Sequence, residues 1–184
     1  MARRVLRIAA LVAGYPVLIP RDVDGRKSLV TLIREALRTG MIAGLAMVPF
    51  AAVFQSFGLR VNEYGRKTLA LVVGDVSPPI HYLLTLAQHL AISWVVAVPL
   101  LLLLRGRVRT GDRLLVGLVY GALFYVAVNS FALPIAFGDP TPWRLGFSVV
   151  YPSLVIHLVY GFTVGFLARP GATPALHASA PVPP

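Results

Sequence analysis

Residues 145–169 read LGFSVVYPSLVIHLVYGFTVGFLAR, and this stretch decides the fold. It carries no charge before Arg169 and is long enough to cross a bilayer core of roughly 30 Å as a helix. Ser153, His157, Gly161 and Gly165 recur within it at a strict spacing of four. On a helix that spacing aligns them along one slowly rotating stripe.

Working outward, three more long apolar runs carry stripes of the same kind, near 36–59, 80–104 and 114–137. The first holds Gly40 and Gly44, continued by Ala52 and Ser56, with Pro49 as a possible kink. The second holds His81, Thr85, His89, Ser93 and Ala97, while Trp94 and Leu100 to Leu104 suit a lipid-facing side. The third holds Gly117, Gly121, Tyr125 and Asn129, with Ser130 adjacent. Polar residues in register on an apolar helix belong against protein or water, because lipid leaves them unsatisfied.

The composition agrees. With 57% apolar and 13% charged residues among 184, and a mean hydropathy of +0.77, the chain is not a soluble domain. The expected architecture is an all-α membrane protein: a four-transmembrane-helix bundle over 36–169, an N-terminal cytoplasmic or interfacial segment over 1–35, and a disordered Pro/Ala-rich tail over 170–184 that holds His177. The absence of cysteine excludes disulfides, thiolate metal sites and thiol nucleophiles. A net charge of +10 raises nucleic acid as a partner, but the charge flanks apolar runs, where it orients membrane proteins. The basic groove and stacking aromatics of a nucleic-acid binder are missing. Arginine outnumbers lysine 15 to 2, a bias that goes with a GC-rich bacterial genome.

The connections complete the outline. Residues 5–20 contain Arg7 and Pro16 and are short for a span, which favours an interfacial helix over a fifth crossing. Asp22, Asp24, Gly25, Arg26 and Lys27 read as a polar turn. The 60–79 connection is the longest, and its apolar stretch from Thr68 to Val73 reads as a short helix over the bundle mouth. Gly138-Asp-Pro-Thr-Pro142 reads as a tight turn. Thirteen Lys/Arg fall on the side of the N-terminus, the 105–113 linker and Arg169, against four on the other side: Arg60, Arg66, Lys67 and Arg144. That asymmetry puts both termini in the cytoplasm.

Placed by depth, Gly40, Gly44, Gly117, Gly121, Gly161 and Gly165 all fall in the cytoplasmic half. Small residues let helix backbones approach closely, and a stride of four drifts by about 40° per step, as right-handed crossings require. The polar residues lie in the middle or outer half. The expectation is a bundle pinched shut at the cytoplasmic side and splayed outward around a polar pocket of His89, His157, His81, Thr85, Ser93, Asn129 and Ser153. His89 and His157 fall near mid-membrane, where titratable groups are rare, and histidine titrates near neutral pH.

Other chemistries find less support. Every carboxylate falls near a span end or in a loop, which argues against paired-carboxylate catalysis. Ser93 and Ser153 lie in no nucleophile motif. Zinc held by His81, His89 and His157 has enough ligands but no evident supporting carboxylate. Bis-histidine haem between spans 2 and 4 needs widely separated helices. No cofactor is therefore assigned, and the partners expected are the lipid bilayer and a second copy or membrane partner.

From span 2 through span 4 the chain resembles the YagU-like family of small bacterial inner-membrane proteins. The resemblance is carried by Gly117-Leu-Val-Tyr-Gly121-Ala-Leu-Phe, by Ser130-Phe131 with a nearby proline, by Gly138-Asp-Pro-Thr-Pro142, and by His157-Leu-Val-Tyr-Gly161. Members often carry a histidine in the third span, where this chain has Ala127 and Val128 with Asn129 the nearest polar residue. The resemblance implies a multi-pass inner-membrane protein of undefined biochemistry. Three functions stay open: a protein binding or moving a small solute or proton through an outward-facing histidine pocket, a non-enzymatic scaffold packing a partner or second copy through its glycine stripes, and a haem- or metal-binding protein.

Overall fold

The computed structural model describes residues 23–61, 64–74, 76–104 and 109–169, with side chains described from residue 29 onward. The interfacial helix expected at 5–20, the tail from residue 170 with His177, and Arg105 and Arg107 of the basic linker lie outside them. The chain is all-α, with no strand among the described residues. In order come α1 (Val23–Ser56), α2 (Tyr64–Val73), α3 (Pro78–Leu103), α4 (Thr110–Phe124), a π-helical segment (Tyr125–Ala132), α5 (Leu133–Phe137), α6 (Pro142–Leu145) and α7 (Phe147–Leu167). Among the described residues, four helical stretches are long and apolar enough to cross a membrane: Leu29–Ser56, Pro78–Leu103, Thr110–Phe137 and Phe147–Leu167. They support the multi-pass membrane character expected from the sequence.

Two boundaries differ from expectation. α1 is a single helix of 34 residues, roughly 51 Å long at 1.5 Å per residue, and it runs through the boundary expected at 35/36. The polar turn expected at 22–27 is helical from Val23. Glu35, expected outside the first span, lies within Leu29–Ser56 and is only 8% exposed. The third span is also interrupted. Pro134 has no N–H, and in a regular α-helix its ring would meet the carbonyl of Ser130 four residues back. The chain widens into π turns instead, and the Leu133 N–H bonds Val128 O.

Two helix pairs make up the bundle. α1 packs on α3 and α4 packs on α7, and α1 with α7 forms the seam between the pairs. A core of Leu32, Ala36, Ala43 and Met47 from α1, Leu100, Leu101 and Leu104 from the α3 end, and Ile156, Tyr160, Val164 and Ala168 from the α7 end fills that seam. Leu100, Leu101 and Leu104 are therefore buried, not lipid-facing; only Leu102 and Leu103 of that run are exposed. Five consecutive leucines turn through more than a full helical circle, so they cannot share one face. α2 is a helix, as expected, and lies against α3, where Gln88 Nε2 donates to Thr68 Oγ1 at 2.6 Å.

Glycine sets the spacing within each pair. A Cβ on Gly117 would stand 2.9 Å from Gly161 C, one on Gly121 3.0 Å from His157 C, and one on Gly165 2.5 Å from Arg113 O. Each neighbour is backbone, so no side chain can swing away. In the α1–α3 pair a Cβ on Gly40 would lie 2.6 Å from Ser93 O, and one on Gly44 2.6 Å from Ser93 Oγ. Gly111, by contrast, faces open space. Gly161→Ala is therefore expected to lower unfolding stability by about 1–3 kcal/mol through overpacking, while Gly111→Ala stays near neutral. Thermal or denaturant unfolding in mild detergent measures the difference.

Candidate functional site

The π-helical segment carries three buried residues, Tyr125, Asn129 and Ser130, of which Tyr125 and Asn129 meet α7 at His157. Asn129 Nδ2 donates to His157 Nε2 at 2.8 Å. His157 Nδ1–H donates to the Ser153 carbonyl one turn back at 2.6 Å. Together the two bonds assign a neutral imidazole protonated on Nδ1, since Nε2 has to accept. The ring is held between aromatics, stacked on Phe124 at 5.9 Å and tilted against Tyr125 at 5.6 Å. On the same segment the Tyr125 and Ser130 hydroxyls pair with each other, and both side chains are fully buried.

The seven residues expected to line one pocket fall into three places. Asn129, Ser153 and His157 come together as just described. His89 belongs to the other pair, where its Nε2 donates to the Gly44 carbonyl at 3.0 Å, and Ser93 lies one turn further along α3 against the same glycine. His81 and Thr85 stand nearer the start of α3, where the Thr85 hydroxyl bonds its own helix at His81 O, 2.8 Å away. The six glycines all meet helices of the same chain. No group of three His, Cys, Asp or Glu positioned to hold a metal exists among the described residues, so His81, His89 and His157 do not gather as a zinc site would require. Haem ligation would have to break the bonds of both His89 and His157.

A cavity of about 680 Å³ opens at the end of the bundle opposite the start of α1 and the end of α7, the mouth of the bundle. Its lining joins Gln55 near the end of α1 and Leu59 and Arg60 just after it, the start of α2 (Tyr64, Lys67), and Asp139, Leu145 and Val149. None of the seven expected pocket residues lines it. Lys67 pairs with Asp139, and its ammonium stands over the rings of Tyr64 and Phe137. Burial pushes the Tyr64 phenol above the usual tyrosine range, and the Asp139 carboxylate beside it adds to the shift.

The opposite end is closed by charged side chains that the sequence reading set aside. Glu35 accepts from Arg38 at 2.7 and 3.1 Å and from the Arg169 backbone N–H at 3.2 Å. Arg38 also donates to Leu167 O at 2.7 Å, and Arg113 donates to Ala168 O. Two cations thus cap the carbonyls that α7 leaves open at its C-terminus, where the helix dipole favours them. Tyr120 and Tyr160 were missed too: their hydroxyls donate to Val96 O, at 2.9 Å, and to Ser93 O. The available signal was a charge or hydroxyl inside an apolar window, which has to find a partner within the bundle.

The chain matches no family model, and no curated protein or solved structure matches it. The resemblance to the YagU-like family rests on its quoted motifs alone.

The tautomer is directly measurable. Nitrogen-15 NMR of histidine-labelled protein at neutral pH is expected to show His157 protonated on Nδ1. Asn129→Leu should remove the donor at Nε2 and cost about 1–3 kcal/mol of stability. A His157 signal protonated on Nε2 contradicts the assigned geometry.

Proposed function

We propose that this is a multi-pass protein of a bacterial inner membrane, with both termini cytoplasmic, that binds a small polar solute or a proton entering at the mouth and passes it toward His157, Asn129 and Ser153. The observation that carries the reading is where the cavity stops. Val149 lines it, and Ser153 and His157 follow on the same stripe of α7. The polar layer thus begins roughly 6 Å below Val149 and reaches His157 roughly 12 Å below, at 1.5 Å per residue.

Titratable groups at membrane depth are rare and mark ion or proton paths. His157 supplies such a group, and Asn129 and Ser153 hold it. His89 lies on the α1–α3 side, where it bonds the Gly44 carbonyl. The scaffold reading draws no support from the glycines, because their faces are filled by helices of the same chain. A haem or metal reading draws none from His157, whose two ring nitrogens bond Asn129 and the Ser153 carbonyl, or from His89 Nε2, which bonds the Gly44 carbonyl.

The test is proton flux into vesicles carrying a pH-sensitive dye, paired with native mass spectrometry of the purified protein. Reconstituted protein should collapse an imposed pH gradient several-fold faster than protein-free vesicles, or should carry a defined small-molecule mass. His157→Phe should remove the effect while insertion persists. A leak equal to that of empty vesicles, together with a bare chain by mass, overturns the reading.

A further inference from the structure

The cavity and the charged closure lie at opposite ends of one seam. The α1–α3 pair is held internally by Gly40 and Gly44 against Ser93, and the α4–α7 pair by backbone contacts at Gly117, Gly121 and Gly165. Each is packed at backbone distance, so each moves as a unit. Polar ties between the pairs are of another kind: among the described residues they include single side-chain bonds from Tyr120 to Val96 O, Tyr160 to Ser93 O and Arg38 to Leu167 O, one from the Arg169 N–H to Glu35, and the Lys67–Asp139 ion pair at the mouth. Two of these converge on the end of α7, at Leu167 and Arg169. At the mouth the cavity opens beside the seam, with Gln55 of α1 on one wall and Leu145 and Val149 on the other, while Phe54 of α1 meets Tyr151 of α7 edge-on at 5.6 Å.

We infer that the two helix pairs rock as rigid bodies about the α1–α7 seam, and that Glu35 and Arg38 gripping the end of α7 form the latch that keeps the far end shut while the mouth is open. The grip is suited to all-or-none release. Arg38 holds Glu35 and Leu167 O at once, and Glu35 holds Arg38 and the Arg169 N–H at once. A displacement of the end of α7 by a few ångströms breaks both links of the latch together, because hydrogen bonds fail steeply with distance. Arg113 takes no part in this release, since it binds Ala168 from within the α4–α7 pair. The inference rests on the proposed movement of a solute for its purpose, but its test needs no solute. If the rocking fails, a static binding site survives; if flux fails, the rocking is still measured.

The chain has no cysteine, so single reporters are clean. Val164→Cys replaces a fully buried residue one turn from the latch, and Leu145→Cys replaces an exposed residue on the cavity wall. Both are read by labelling with a water-soluble maleimide in lipid nanodiscs, with the latch intact and with Glu35→Gln combined with Arg38→Gln. Release of the latch should speed labelling at Val164→Cys by about tenfold, as a shifted opening equilibrium does, and slow labelling at Leu145→Cys. The reciprocal change separates rocking from unfolding, which would speed both. Faster labelling at both sites, faster labelling at Val164→Cys alone, or no change at either site overturns the inference.

Discussion

The contact on which the rest depends is the backbone-to-backbone approach of α4 and α7. In lipid no hydrophobic force draws helices together, so close packing and interhelical bonds have to do it. Gly165 lies against Arg113, Gly161 against Gly117, and Gly121 against His157, a ladder stepping one turn at a time along antiparallel helices. That register places the next turn of the third span, beginning at Tyr125, against the turn of α7 that carries Ser153 and His157. The polar layer exists because the glycines below it fix which residues face each other.

From that layer the logic runs in two directions. Toward the mouth a cavity opens beside the Phe54–Tyr151 contact, with Arg60, Lys67, Asp139 and Tyr64 among its walls. Toward the termini they close over a buried carboxylate and two arginines that satisfy the open carbonyls of α7. Polar groups inside apolar spans thus divide by job. His89 and Thr85 bond backbone and hold helices or turns, whereas His157 is held by a side chain, Asn129, on one ring nitrogen and by the Ser153 carbonyl on the other.

Much of this was legible in the sequence. The four spans follow from run length, and the inward stripes follow from the stride of four at Ser153–Gly165 and His81–Ala97. What a stride cannot say is which stripe meets which. Asn129 and His157 proved to be partners, while His89 proved to belong to Gly44 in the other pair. Leu100 to Leu104 was misread because a run of one residue type hides the helical period. Glu35 was misplaced because the polar residues before it suggested a turn, although the helix continues through them. The π-helical segment was announced only by Pro134, whose missing N–H leaves several local solutions open. The latch needed a fact no local pattern holds: that α7 ends beside α1.

The most direct test of the account is solid-state NMR of the protein in lipid bilayers, with glycine labelled at both carbons. The account predicts a through-space cross peak between Gly161 Cα and Gly117 carbonyl carbon that persists when labelled protein is diluted with unlabelled protein, because the contact lies within one chain. A cross peak that is absent, or that vanishes on dilution because the glycines pair between copies, would contradict it.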